Sequence, residues 1–579
     1  MNESDVTSLG EWVSLFLTLV VLLVPLVVML AWWLKLRYAS TIVRLQREVT
    51  PAEQTSITCN RIEPEPGPHY PSTALLQVHF MSAEAVQELK SESDSGASAR
   101  ALRRRVLLLQ IAFGLLVWVT LLVALLSAAV IVTQPENDPE SATGGISAVA
   151  LASQWVQLIS LVCLPVLFAW ALEAGLRERL VWIGFGVAAA IIAASEIVAG
   201  STALAALYAL LAVAAVGVMI SAFMRPAVRG AGPPLLAALC VGMIAFAVVA
   251  LTLDALIDEN SMWGRGRPGY YVVWALIIAV GLAAAWTTLI WIARCYETKR
   301  FSNQQLAGWG YWGLLSLVVL AMVLYNVDEG RHREPLLWIA GTALIVLTAV
   351  HWMSKWVLCR VMRGAPASLG PLLMLRVFKP SSRSEAFMDR FAARWRFMAP
   401  AWMIAGPDLA GAYMEPDEFF AYLRGDLCDR FIDRSSIIEE RVAHLDDQRD
   451  PDGRFRISEL FCANHIWQQT VLALMNRASV VMIDLREYSE KRAGTHFELC
   501  ELLRREPLEK ALFLTDANAD RANIEAVLRS AWESVRERRR LPTDGTPKVT
   551  VLQLGPDSER QIAGLLRAVA QVSTLTCAF

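Results

Sequence analysis

Long uncharged apolar runs are the feature that most limits what this chain can fold into. A run of about 18 or more apolar residues is long enough to cross a lipid bilayer as a helix. Such runs lie at 11–34, 106–132, 147–172, 180–199, 202–222, 234–256, 270–293, 309–326 and 336–356, and the boundary near Gly200 is the least distinct. The sequence therefore predicts a polytopic α-helical membrane bundle of about nine spans, with the lipid bilayer as a partner.

The loops between these runs alternate in charge. Lys and Arg concentrate in cytoplasmic loops of membrane proteins. Clusters that include Arg37, Arg104, Arg177, Arg229, Arg300 and Arg360 lie in the loops after the first, third, fifth, seventh and ninth runs. The intervening loops, such as "QPENDPESATGG", are acidic or mixed. This pattern predicts an integral membrane protein of the bacterial inner (plasma) membrane type, with its N-terminus outside and its C-terminal domain in the cytoplasm.

Composition excludes several classes of function. The chain has 579 residues and a formal net charge of −2, so no basic bias indicates a nucleic-acid partner. Its nine cysteines are scattered without a CxxC pair, which disfavours a zinc site or a disulfide framework. The turn "DPDG" at 450–453 lacks the spacing of a calcium loop. No metal site is predicted, and the sequence leaves any cofactor unknown.

Four regions follow from these patterns. Residues 1–35 form an N-terminal membrane anchor, and 106–356 form the multi-span bundle. Residues 36–105 form a cytoplasmic loop whose Pro-rich and Ser-rich stretches predict partial disorder. Within that loop, "ALLQVHFMSAEAVQELK" has a pattern that suits a strand followed by a helix. Residues 364–579 form a cytosolic α/β domain.

The α/β domain is predicted from alternating strands and helices. Short apolar strands are expected at 372–378, 401–406, 479–485, 510–516 and 548–554, separated by amphipathic helices. Continuous apolar strands of this kind belong to parallel sheets that helices cover on both faces. The fold class is therefore a doubly wound parallel sheet of flavodoxin-like size.

Ligand-binding residues are expected at the carboxyl ends of these strands. Lys379, Ser381 and Ser382 follow the first strand and lead into a helix N-terminus, which suits a phosphate or another anion. Asp484 ends the strand "SVVMIDL", which we expect beside the first strand at the point where the strand order reverses. Each assignment has an alternative. The loop after the first strand is then no more than the ordinary capped start of a helix, and Asp484 only accepts hydrogen bonds from backbone amides at the strand end. Neither a GxGxxG nor a Walker A pattern is present.

The stretches "RVFKPSSRSEAF" and "VVMIDLREYSEKRAGTHFELCELL" resemble the TIR and TIR-like family of α/β signalling domains, over about 370–570. The resemblance implies a catalytic role for Glu498. In enzymatic members of that family, a glutamate at this position acts on the ribose next to nicotinamide during NAD cleavage. The alternative is that Glu498 is an exposed residue on an amphipathic helix.

The resulting hypothesis is a multi-pass membrane protein of signalling or defence type, whose TIR-like domain binds or cleaves a nucleotide such as NAD. Whether the chain is an enzyme, which would then be an NAD-cleaving hydrolase, stays open. One alternative is a transporter or channel with a regulatory tail. Another is a non-catalytic membrane interaction scaffold, and each of these functions is compatible with a homo-oligomer.

Overall fold

A computed structural model describes most of the α/β domain and part of the membrane bundle. The described residues are 3–47, 75–88, 222–256, 268–310, 369–375, 382–405, 414–486, 493–538, 546–556 and 559–576, apart from single positions within these ranges, together with Tyr488 and isolated positions in 101–190 and 313–360. The chain divides into two compact units. The first comprises 1–36, 106–361 and 413–420, and the second comprises 37–105, 362–412 and 421–579.

The regular elements are as follows. The helices are α1 (Glu3–Arg47), α2 (Ala83–Glu88), α3 (Gly232–Leu256), α4 (Pro268–Glu297), α5 (Ser382–Trp395), α6 (Pro416–Arg424), α7 (Trp467–Arg477), α8 (Ala493–Arg505), α9 (Arg521–Val535) and α10 (Glu559–Thr576). The strands are β1 (Gln77–Ser82), β2 (Leu372–Leu375), β3 (Ala401–Ala405), β4 (Ile457–Phe461), β5 (Val480–Asp484), β6 (Ala511–Asp516) and β7 (Lys548–Leu554). Short helical turns lie at Pro226–Arg229, Leu427–Arg430, Ser435–Ile437, Ile438–Ala443, Leu508–Lys510 and Arg536–Arg538.

Three of the described helices are long and apolar enough to cross a membrane. Their apolar stretches are Leu23–Leu45, Gly232–Ala250 and Gly269–Glu297. The second and third stretches largely match the expected spans 234–256 and 270–293, whereas the first shares only residues 23–34 with the expected span 11–34. The other six expected spans lie outside the described residues except for isolated positions. The integral membrane character is therefore supported by the described helices, and the number of spans stays a prediction.

Helices α3 and α4 pack closely through glycine. A Cβ atom added to Gly242 would lie 2.7 Å from the carbonyl oxygen of Gly281, and one added to Gly281 would lie 3.0 Å from that of Gly242. Small residues allow such close approach between membrane helices. Other faces of α4 expose large apolar side chains, among them Leu276, Leu282 and Trp286. That surface suits lipid or further apolar helices.

A segment that follows β3 in the chain belongs to the first unit. Within it, Glu415 forms an ion pair of 2.6 Å with Arg229, just before α3, and accepts a hydrogen bond of 3.3 Å from Asn303, just after α4. The Tyr296 hydroxyl donates to the Asn303 side-chain oxygen at 2.8 Å. A Cβ added to Gly230 would lie 2.0 Å from the Met414 carbonyl oxygen. Residues 414–420 therefore lie where α3 begins and α4 ends.

The second unit contains a seven-stranded parallel sheet in the order β1-β7-β6-β5-β2-β3-β4. The parallel α/β architecture predicted from the sequence is confirmed, and the five expected strands form its centre. Two further strands extend it. Strand β4 comes from the stretch 426–461, where no strand was expected. Strand β1 comes from the 36–105 loop, where the expected strand and helix are present as β1 and α2.

Helices cover the sheet in two layers. Helices α2 and α5 both pack against α10, whereas α7 and α9 both pack against α8. Connections from β2 to β3 and from β5 to β6 run in opposite directions along the sheet. Because parallel crossovers are right-handed, α5 and α8 must lie on opposite faces. Strands β2 and β5 are consequently buried along their whole length.

The strand order reverses between β2 and β5. The chain proceeds from β2 outward to β3 and β4, and from β5 outward in the other direction to β6 and β7. These two central strands are hydrogen-bonded neighbours, with Leu372 opposite Val480 and Leu375 opposite Ile483. The expected adjacency of the first strand and "SVVMIDL" is confirmed. Open parallel sheets bind ligands outside the carboxyl ends of strands at such a reversal.

Candidate functional site

Glu498 lies in the second turn of α8, the helix that follows β5 from this reversal. It is only 5% exposed. The buried stripe of α8 consists of Thr495, Glu498, Leu499, Leu502 and Leu503, which is the i, i+3, i+4 pattern of one helical face. Glu498 therefore belongs to the face that packs inward. The alternative that it is an exposed helix residue is wrong.

The carboxyl group of Glu498 has no compensating partner among the described residues. Neither a hydrogen bond nor an ion pair joins it to any of them. Burial raises its pKa from 4.5 to about 8, because a charged carboxylate is poorly stabilised away from water. At neutral pH the group is therefore mostly protonated. It can donate a hydrogen bond or a proton to a ligand, and it can accept a proton once ionised.

Aromatic side chains flank the start of α8. The rings of Trp467, at the start of α7, and Phe497 are 5.4 Å apart and nearly perpendicular. A Cβ added to Gly494 would meet Trp467 at 3.7 Å. His496 is exposed, and its Nδ1 lies 3.3 Å from the Tyr488 hydroxyl. His496 thus projects away from the buried face that carries Glu498, whereas the Trp467–Phe497 pair forms an apolar flank at the same end of the helix layer.

Asp484 is engaged in an ion pair within the protein. Its carboxylate accepts hydrogen bonds from the Arg486 backbone amide at 3.1 Å and from the Arg486 guanidinium at 2.6 Å. That guanidinium lies 5.3 Å from the ring centroid of Phe387 in α5. Asp484 is therefore associated with the helix layer opposite the one that contains Glu498. The carboxylate of Asp484 is thus already paired with Arg486.

The loop that follows β2 carries the other expected ligand-binding residues. Lys379 and Ser381 lie outside the described residues. Ser382 is the first residue of α5. Strand β2 ends beside β5, so this loop leaves the sheet at the strand-order reversal. Binding by these three residues stays a prediction.

The acids of the "DPDG" turn are held by arginines. Asp452 is bonded to Arg454 at 2.6 Å, and Asp450 to Arg456 at 2.9 Å. Burial alone would raise the pKa of Asp452, but the charge and hydrogen bonds of Arg454, together with the charge of Arg396, hold it below its usual value. Both carboxylates thus serve an internal ion-pair network. Within the described part of the chain, no cluster of three or more metal-type ligands is present.

Two buried polar side chains at the ends of β6 and β7 were missed by the sequence reasoning. Thr515 and Gln553 are 1% and 4% exposed, and they occupy neighbouring positions in the two strands. Their sequence signal is a single polar residue near the end of an apolar strand, in "ALFLTD" and "KVTVLQL". A lone Thr or Gln at a strand end is common, so this signal has little specificity.

Comparisons with protein-family models, curated proteins and solved structures find no significant match to this chain. The resemblance to TIR domains therefore rests on the quoted stretches alone. What the geometry adds is a buried acid in the helix that follows β5, one of the two strands at the strand-order reversal.

Proposed function

We propose that this chain is a multi-pass membrane protein whose cytoplasmic TIR-like domain binds a nucleotide such as NAD, in a signalling or defence role. The observation that carries the proposal is Glu498, a buried carboxyl group without a partner among the described residues. Burying such a group costs free energy unless it is hydrogen-bonded. A ligand hydroxyl at the strand-order reversal would supply that hydrogen bond.

The strand order supports a flavodoxin-like ligand site. Without the two outermost strands, the order is β3-β2-β5-β6-β7. Numbered along the chain, this is the order 2-1-3-4-5, in which the ligand lies at the junction of the first and third strands. The equivalent junction here is β2–β5. The resemblance to TIR domains independently assigns the catalytic glutamate to Glu498, on the helix that follows β5.

NAD cleavage is the chemistry that this resemblance implies. The bond between the ribose C1′ and nicotinamide breaks, and nicotinamide leaves with the bonding electron pair. Water adds to C1′ and releases a proton. Ionised Glu498 would accept a hydrogen bond from a ribose hydroxyl and then take up that proton. The Trp467–Phe497 pair supplies an apolar flank against which a ring can lie.

The charge pattern supports a cytoplasmic position for the nucleotide site. Glu415 contacts Arg229 and Asn303, which lie in two of the loops that the basic residues assign to the cytoplasm. Residues 414–420 immediately precede and begin helix α6 of the C-terminal region. The positive-inside rule would thus place this part of the C-terminal region in the cytoplasm.

The test is nucleotide turnover by the full-length protein in detergent. We expect the wild type to bind NAD and to release nicotinamide, and Glu498→Gln to abolish release without lowering the midpoint of thermal unfolding. Glu509→Gln, an exposed acid just beyond α8, is the matched control and should behave as the wild type. If the wild type neither binds nor consumes NAD, ADP-ribose or ATP, the scaffold alternative replaces this proposal.

A further inference from the structure

We propose that Arg521, Gln553 and Thr515 form a subsite for an anionic oxygen group, and that the phosphate of a nucleotide is the ligand class that it takes. As part of a nucleotide site, this subsite rests on the proposed function. As a site for a phosphate-type anion, it can be tested by itself. Its three side chains come from α9, β7 and β6.

The three side chains lie on one face of the sheet. Arg521 donates a hydrogen bond of 2.5 Å to the Gln553 side-chain oxygen, so Gln553 points toward the helix layer that contains α9. Thr515 lies opposite Gln553 in the β6–β7 ladder. Residues in register on parallel neighbours point to the same face. Helix α8, with Glu498, belongs to the same layer.

Two of these side chains carry buried polar atoms without a partner. The Thr515 hydroxyl oxygen and the Gln553 amide nitrogen have no hydrogen bond to any described residue. Reversing the Gln553 amide would not help, because it would set the NH₂ group against the Arg521 guanidinium. A polar atom that is buried without a hydrogen-bond partner destabilises the fold. A ligand oxygen atom that accepts a hydrogen bond from either atom would supply the missing partner.

Arg521 supplies the positive charge. It is the first residue of α9, it is exposed, and its guanidinium lies 5.5 Å from the ring centroid of Phe80 in β1. Guanidinium donates up to five N–H groups, and the Gln553 side-chain oxygen accepts from one of them. The nearby acid Asp520 uses its carboxylate to cap α9 at the Ala522 amide. The polar groups of the subsite without a partner among the described residues are the remaining N–H groups of Arg521, the Gln553 amide nitrogen and the Thr515 hydroxyl. Of these, only the hydroxyl can also accept a hydrogen bond. A ligand that fits them must therefore supply acceptor atoms, and the positive charge of Arg521 favours an anion.

The subsite lies on the two strands that follow β5 in the sheet, and β5 leads into the helix that carries Glu498. Thr515 and Gln553 lie near the carboxyl ends of β6 and β7, and β6 is the neighbour of β5. Adjacent strands are about 5 Å apart, so β7 is about 10 Å from β5. In the proposed arrangement the ribose of the nucleotide lies at Glu498 and one of its phosphates lies at the subsite. The donor groups thus fit a phosphorylated ligand better than a free nucleoside.

The direct test is pyrophosphate binding by the full-length protein in detergent, measured by equilibrium dialysis. We expect Arg521→Gln and Gln553→Leu to weaken binding at least tenfold. Arg529→Gln is the control, because this exposed arginine of the same helix pairs only with Glu525 among the ion pairs of the described residues. Absence of pyrophosphate binding by the wild type, or equal affinity in Arg521→Gln, would overturn the inference.

A second measurement separates a ligand site from a structural water. Thr515→Val removes a buried hydroxyl without changing shape much, so its unfolding midpoint without ligand should be equal to or above that of the wild type. If Thr515→Val instead lowers the unfolding midpoint and leaves the pyrophosphate affinity unchanged, a bridging water holds Thr515 and Gln553 together. That result would contradict the proposed subsite.

A third measurement identifies the source of the anion. ADP should bind at least tenfold more tightly than adenosine, and Arg521→Gln should remove that difference. Equal affinities for ADP and adenosine in the wild type would overturn the assignment to a nucleotide phosphate. A different outcome would be that the protein binds pyrophosphate but Glu498→Gln leaves NAD binding and cleavage unchanged. That outcome would refute the proposed function and would leave the anion site supported.

Discussion

Glu498 shows how a single residue can work against stability. The stripe that buries it also contains Leu499, Leu502 and Leu503, all fully buried, and a leucine at 498 would satisfy the same pattern. A carboxyl group there weakens the packing face of α8, and no described residue offsets the cost. Residues that break a local rule in this way are concentrated at functional sites. That concentration is why Glu498, more than Asp484, is the centre of the proposed site.

The pKa of Glu498 predicts a specific dependence of stability on pH. Below pH 4.5 the group is protonated in both the folded and the unfolded chain. Between pH 4.5 and about 8 it ionises in the unfolded chain but keeps its proton in the folded one. The folded state binds more protons there, so stability falls as pH rises, by on the order of a few kcal/mol in total. Above pH 8 this loss levels off.

Thermal unfolding of wild type and Glu498→Gln between pH 5 and 9 measures this effect. The unfolding midpoint of Glu498→Gln should rise relative to that of the wild type as pH increases. This relative increase should be complete near pH 8 to 9. Glu509→Gln, whose carboxyl is exposed, should follow the wild type throughout. A constant difference between wild type and Glu498→Gln across the range would show that the folded chain does not hold this proton.

At the scale of elements, the centre of the sheet could be predicted from sequence and its edges could not. Strands such as β5 are continuous apolar runs because both of their faces are covered. Strand β1 alternates between exposed and half-buried residues and lies at an edge. Its partner β7 begins more than 400 residues later in the chain, so no local pattern could reveal the pairing. Strand β4 is mostly half-buried and lies at the other edge.

The candidate site was predictable to a similar extent. The adjacency of β2 and β5 followed from general rules for parallel sheets, and Glu498 followed from the family resemblance. The engagement of Asp484 by Arg486 depends on how one guanidinium folds back over Phe387. The Thr515–Gln553 pair depends on the register of two strands. Such side-chain pairings require a three-dimensional arrangement that a sequence pattern does not specify.

Strand β1 makes a prediction about the isolated C-terminal domain. Residues 364–579 alone lack β1 and α2, so the β7 edge and part of α10 are uncovered. We expect this fragment to fold with a lowered unfolding midpoint. A peptide of residues 75–90 should raise that midpoint when added in trans, because it restores the β1–β7 ladder and its backbone hydrogen bonds. Thermal unfolding with a scrambled peptide as the control measures the effect.

A matched variant tests whether the peptide binds in the native position. A Cβ added to Gly564 in α10 would lie 1.9 Å from the Ala83 carbonyl oxygen at the start of α2. Gly564→Val should therefore leave the fragment's own midpoint nearly unchanged while reducing the response to the peptide. Stabilisation of this variant equal to that of the parent fragment would show that β1 and α2 bind elsewhere.

At the scale of the whole molecule, the sheet constrains how the chain crosses the membrane. Residues 77–82 pair directly with 548–554, so both segments lie on the same side. The chain between 106 and 361 must then cross the membrane an even number of times. The eight spans predicted for that region satisfy this condition.

Reporter fusions in a bacterial host test both the parity and the orientation. Fusions after Lys35 and Arg363 should be cytoplasmic, and a fusion after Gly145, in an acidic loop, should be exported. Fluorescence of a fused green fluorescent protein and activity of a fused alkaline phosphatase give opposite signals for the two locations. Opposite locations for Lys35 and Arg363 would contradict the pairing of β1 with β7. Export of both would keep the pairing but invert the orientation, and with it the assignment of the nucleotide site to the cytoplasm.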